Sequence, residues 1–208
     1  DMNYESSLPT WLSSTLLMLS GLIAWVIGQH PSLTLPASRE GIKGRGRNYW
    51  RGLAVIFMLL SLDEMTSIHE KTIEPLRGSL SASGAFYYAW IIPAIALVAL
   101  FALVYVRFWW RLPARPRVLL VVAAALFLGG AVGMEMVGGK YAEQNGDQTL
   151  IYALLAIVEE TLEFAGIGVF AYTLLDYLAL MNTQSQTAGI VSPRPSTLEP
   201  SYGKGADL

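Results

Sequence analysis

Cysteine is absent from this sequence. Its absence excludes disulfides, thiolate metal sites, iron–sulfur clusters and cysteine nucleophiles. Charge is scarce as well: only 14% of the residues are Asp, Glu, Lys or Arg, against about 25% in a soluble domain. The 14 basic and 16 acidic residues leave a net charge of −2, so no basic field recommends nucleic acid as a partner. Histidine is limited to His30 and His69. No basic region precedes the first apolar run, which follows Asp1 and Glu5, so that run reads as a span and not as a secretory leader.

Apolar length is what the sequence has in quantity. Hydrophobic residues make up 53% of the chain, and several runs approach the roughly 20 residues that cross a bilayer. The runs are continuous and lack the alternation of a β-barrel. The expected fold is therefore all-α: a polytopic membrane protein with five transmembrane helices in one bundle. The spans are placed at about 10–28, 52–74, 85–106, 118–138 and 150–180. His30-Pro31 ends the first, and the second shows no break before Pro75. Pro93 suggests a kink in the third. Gly129, Gly130 and Gly133 in the fourth allow close helix contact. The tail 182–208 is rich in Ser, Thr, Pro and Gly; alone it would be disordered, and it is expected to be held by partner subunits.

Basic residues set the orientation. Segment 29–51 carries Arg39, Lys43, Arg45, Arg47 and Arg51, and segment 107–117 is RFWWRLPARPR. The opposite loops carry only Arg77 and Lys140 as basic residues. The positive-inside rule puts the N-terminus outside and the C-terminus in the cytoplasm, in the inner (plasma) membrane of a bacterium. The glycine-rich GIKGRGR stretch lacks Walker spacing and reads as a membrane-flanking loop. Trp11, Trp25, Trp50, Trp90, Trp109 and Trp110 fit interfacial belts.

The chemistry sits in three segments: SLDEMTSIHE, GMEM and VEETLE. In the expected topology Asp63, Glu64, His69 and Glu70 lie in the outer half of the second helix. Glu135 lies near the outer end of the fourth, and Glu159, Glu160 and Glu163 in the outer half of the fifth. At about 1.5 Å of rise per residue, these groups share one layer of the bundle. On an unbroken helix Asp63 and Glu70 share a face, while Glu64 and His69 point about 140° apart. Ionisable groups at such depth are functional candidates. Lys71 is the one Lys or Arg inside the expected spans. The carboxylates must then be compensated by protons, by water or by a bound cation.

Three readings follow. The first is an accessory subunit of a larger membrane complex, with Asp63, Glu64, His69, Glu70, Glu135, Glu159, Glu160 and Glu163 as the candidate ligands of a divalent metal. Oxygen-rich donors suit iron, manganese, calcium or magnesium; copper, by way of Met65, Met134 and Met136, is the weaker fit. The second is a metal-dependent membrane oxidoreductase. Glu64, Glu135, Glu160, Glu163 and His69 resemble the ligand type of carboxylate-bridged di-iron bundles, without the Glu-x-x-His motif of that class. The third is a cation or proton transporter, for which the inner half offers only Asp176. Ser61, Ser67 and His69 lack the elbow of a serine hydrolase, so no catalytic residue is assigned.

Overall fold

The computed structural model describes residues 8–29 and 43–191, and among them there is helix and turn but no strand. Helix α1 is Leu8–Gln29 and α2 is Lys43–Thr66. Two short helices follow, α3 at Ile68–Lys71 and α4 at Ile73–Leu80, then a 3-10 turn at Gly84–Phe86. Helix α5 is Ile91–Trp109 and α6 is Ala114–Leu128. A π-helical segment, Gly129–Met134, joins α6 to α7, Glu135–Asn145, and α8 is Leu150–Val191.

Among the described residues, four stretches are long and apolar enough to cross a membrane: Pro9–Gln29, Ile91–Trp109, Ala114–Asn145 and Leu150–Thr183. Helix α2 has an apolar middle but carries Arg45, Arg47 and Arg51 toward one end and Asp63 and Glu64 at the other. It lies along α1, while α6 lies along α8, and α1 also touches α8. The long helices run alternately up and down. One end of the bundle gathers most of the arginines and the other most of the carboxylates; these are the basic end and the acid end below.

Between apolar helices in lipid there is no hydrophobic attraction, so contact depends on close fit and on hydrogen bonds. The α1–α2 seam has both. Ser14 Oγ donates to the Ser61 carbonyl at 2.9 Å, and Ser61 Oγ donates to the Ser14 carbonyl at 2.8 Å. A turn or two along, a Cβ on Gly21 would stand 3.1 Å from the Ala54 carbonyl oxygen. The core lies toward the basic end, where Ile27, Trp50, Phe108, Leu174 and Tyr177 are buried. Trp50 stacks on Tyr177 and meets Phe108 edge-on, each with ring centroids 5.3 Å apart. Arg115 Nη2 binds Asp176 Oδ1 at 3.1 Å and also donates to Tyr172 Oη, tying α6 to α8.

Several expected boundaries move. The basic segment is helical from Lys43, because Trp50 docks into the core and draws the preceding turns with it. The second span does not run to Pro75: the helix breaks at Ser67, whose φ of 48° is left-handed. Pro75 sits in the first turn of α4 and Pro93 in the first turn of α5, where a missing N–H costs nothing, so neither ends nor kinks a helix. The third apolar helix starts at Ile91, not near 85, after a turn in which Gly84 has φ +60°. The fourth continues to Asn145 and the fifth to Val191. Trp50 is core, not belt. His30, Arg39 and the tail from 192 onward lie outside the described residues.

The α6–α8 seam brings backbone close to backbone. A Cβ on Gly166 would lie 2.5 Å from the Phe127 backbone nitrogen, whereas Gly168 has nothing within 4 Å. Gly166→Ala therefore forces the helices apart and costs about 1–3 kcal/mol, as overpacking does. Thermal unfolding in detergent checks this: Gly166→Ala melts lower than the native chain and Gly168→Ala does not. Equal melting of the two variants contradicts the close contact.

Candidate functional site: a carboxylate and histidine centre at the acid end

Asp63 begins the site. Its position three residues before the end of α2 lets its carboxylate reach over the break. Oδ1 accepts the His69 backbone N–H at 3.0 Å, and Oδ2 accepts from His69 Nδ1 at 2.7 Å. The Ser67 N–H also closes on the Asp63 carbonyl at 2.7 Å. A left-handed serine is unfavourable by roughly 1–2 kcal/mol, and these bonds offset it. On an unbroken helix His69 would point away from Asp63; the break at Ser67 folds it back. The expected shared face of Asp63 and Glu70 is lost for the same reason.

An ionised carboxylate only accepts hydrogen bonds, so Nδ1 carries the proton in that bond. The other ring nitrogen, Nε2, is then the one open to a ligand. This is the arrangement by which a carboxylate orients a metal-binding or proton-carrying imidazole. The His69 ring lies against the Trp90 indole, with centroids 4.6 Å apart.

Trp90 leads to the second helix. Its Nε1–H donates to Glu135 Oε1 at 3.0 Å. Glu135 opens α7 immediately after the π-helical segment. A π turn holds an extra residue, which rotates everything beyond it relative to an α-helix. Gly129, Gly130 and Gly133 supply a backbone without side chains to crowd the wider turn. On the third helix, Glu159 lies within electrostatic range of Glu135. Gly130 makes room for this approach: a Cβ there would stand 2.7 Å from Glu163 Cγ and 2.8 Å from the Glu159 carbonyl oxygen.

Six of the residues singled out from sequence form the centre. Asp63, Glu64, His69, Glu135, Glu159 and Glu163 are all half-buried. Glu163 lies within electrostatic range of Glu64, Glu135 and His69. Glu70 and Glu160 are exposed at its margin. Among the described residues, no three Asp, Glu or His side chains stand close enough together to hold a metal ion as they are placed.

The nearby cations are engaged elsewhere. Lys71 Nζ donates to the Thr66 carbonyl at 2.6 Å, satisfying the end of α2. Arg77 pairs with Glu74 at 3.0 Å, donates to the Tyr87 carbonyl and lies over the Tyr87 ring. A cleft of 350 Å³ opens beside the centre, lined in part by Glu70, Glu74, Arg77, Tyr88 and Asp147. Tyr88 and Tyr152 meet there, with their hydroxyls 2.8 Å apart.

Sequence reasoning missed Trp90, because an indole near a helix end looks the same whether it faces lipid headgroups or a carboxylate. The Asp63–His69 bond was hidden by the assumption of a continuous helix. The Asp63–His69 pairing is tested by a double-mutant cycle. Asp63→Ala removes the acceptor for two His69 donors and costs about 1–3 kcal/mol. In that background His69→Ala should add little, giving a coupling of about 0.5–3 kcal/mol in detergent unfolding. Fully additive losses contradict the pairing.

No curated protein and no solved structure matches the chain. A family model described as Domain of unknown function (DUF8692) matches residues 1–177, a range that takes in the whole centre. The chain belongs to that family.

Proposed function

We propose that the chain is an accessory subunit of a larger membrane complex of the bacterial inner membrane, and that its acid end takes up a divalent cation. In this reading it crosses the membrane five times, with the N-terminus outside and the C-terminus cytoplasmic. The fifth span is α2, whose apolar middle, 53–60, lies alongside α1. The arginines of the basic end favour the cytoplasmic side.

One observation carries the cation. Five half-buried carboxyl groups share the acid end with a single imidazole that Asp63 orients, while Lys71 and Arg77 are bonded to other groups. Clustered carboxylates in a low-dielectric layer repel strongly, and a divalent cation relieves several of them at once. Glu64, Glu135, Glu159 and Glu163 offer oxygens and His69 Nε2 a nitrogen, a donor set for iron, manganese or calcium. Binding requires the glutamate side chains to rotate inward. Copper is less suited, since Met65 is 49% exposed. The exposed Glu70 and Glu160, and the apolar outer face of α5, are surfaces suited to neighbouring subunits.

A di-iron oxidoreductase is the second reading, favoured by carboxylates from several helices of one bundle. Its difficulty is nitrogen, because His69 is the only histidine among the described residues. Transport is less favoured: the acid layer gives way toward the basic end to the packed Trp50, Phe108, Leu174 and Tyr177.

Elemental analysis of the purified chain tests the cation. Wild type should retain stoichiometric metal, and Glu135→Gln and His69→Ala should lose it. A wild type without metal after mild purification removes the reading. Native electrophoresis tests the subunit: a chain that migrates alone from gently solubilised membranes counts against a complex.

The topology has its own test, because the native chain offers no thiol to a cysteine reagent. Ser79→Cys should react with an impermeant maleimide in intact cells, and Ala114→Cys only after permeabilisation. The reverse pattern inverts the orientation.

A further inference from the structure

The basic end has a recess of its own. Between α2 and α5 lies a cavity of 430 Å³ lined by Asn48, Tyr49, Val104 and Tyr105. The Tyr105 hydroxyl donates to the Tyr49 carbonyl at 3.1 Å, and the two rings meet edge-on with centroids 5.2 Å apart. That hydroxyl occupies the space beside Gly52 that a Cβ would need, so α5 lies close against α2 at this point.

Its surroundings are basic on one side and apolar on the other. Arg107 stands one turn beyond Val104 on the same face of α5. It is exposed and forms no ion pair among the described residues. From Val104 toward the acid end, Leu100 and Leu97 lie on that face at helical spacing, and with Val104 they are at least half exposed. A polar, aromatic hollow with an arginine one turn away, at the top of an apolar track, is complementary to one amphipathic molecule. Guanidinium groups bind a phosphodiester through charge-assisted hydrogen bonds. Tyrosine and asparagine suit the glycerol and headgroup hydroxyls beneath it, and leucines suit an acyl chain.

We infer that the recess between α2 and α5 seats an anionic phospholipid. Arg107 holds its phosphate, and Val104, Leu100 and Leu97 guide one acyl chain. The site rests on the reading in which the basic end meets the membrane surface, but it is independent of any cation at the acid end. A free phosphate would use the arginine and leave the track empty.

Native mass spectrometry of the full chain, released from mild detergent with phosphatidylglycerol or phosphatidylcholine added, tests this. One phosphatidylglycerol should be retained in preference to phosphatidylcholine. Retention should fall roughly fivefold in Arg107→Gln and stay unchanged in Arg47→Gln, which lies on the α1 side of α2. Val104→Trp, which fills the recess, should lose the lipid with Arg107 in place, its fold checked by circular dichroism. Equal retention of the two lipids overturns the site, as does unchanged retention in Val104→Trp. Displacement by equimolar inorganic phosphate overturns the acyl-chain contact. If the cysteine labelling supports the topology and the lipid is still not retained, the lipid site alone fails.

Discussion

The structure depends on how negative charge is tolerated between helices. Carboxyl groups from α2, α7 and α8 meet at one end of the bundle, where water is limited and like charges repel. The local architecture is arranged around that burden. Asp63 is bound by both donors of His69. Glu135 is held by the Trp90 indole, with Glu159 in electrostatic range of it. Gly130 in the π-helical segment lets α8 come near enough for that closeness. Lysine and arginine stand nearby but are committed to a carbonyl and to Glu74. Among the described residues no lysine or arginine pairs with the centre.

The opposite end solves a different problem. Aromatic rings fill it, with Trp50 set between Phe108 and Tyr177. Arg115 and Asp176 join α6 to α8 at the same end. Helix contact there comes from shape and stacking, which apolar surfaces in lipid must rely on. Helix α5 takes part only through its final turns, at Tyr105 and Phe108; the rest of its length is largely uncovered. The bundle is therefore firm where it is basic and more loosely assembled where it is acidic.

Much of this was legible in the sequence, and the reason is geometric. Helix rise and alternating direction place Asp63, Glu135 and Glu163 at one depth without any knowledge of packing. What stayed hidden was decided by local competition. A side-chain carboxylate won over helix continuity at Ser67, which hydrophobic periodicity cannot register. Trp90 and Trp50 were indistinguishable from belt tryptophans, because composition does not say which way an indole turns. The glycines at 129, 130 and 133 announced close approach but not a π turn. Helix α2 began earlier than its glycines implied, since the docking of Trp50 overrides weak local propensity.

The unequal firmness of the two ends bears on how the molecule would come apart. Proteins open in cooperative pieces, and those with few buried contacts open first. Helices α3 and α4 contain no buried residue, and they meet the rest of the bundle largely through polar bonds such as Asp63–His69 and Arg77–Tyr87. They form a cap that can lift while the aromatic stack beneath stays closed. Amide hydrogens from 68 to 80 would then exchange with solvent long before those of α6 and the middle of α8.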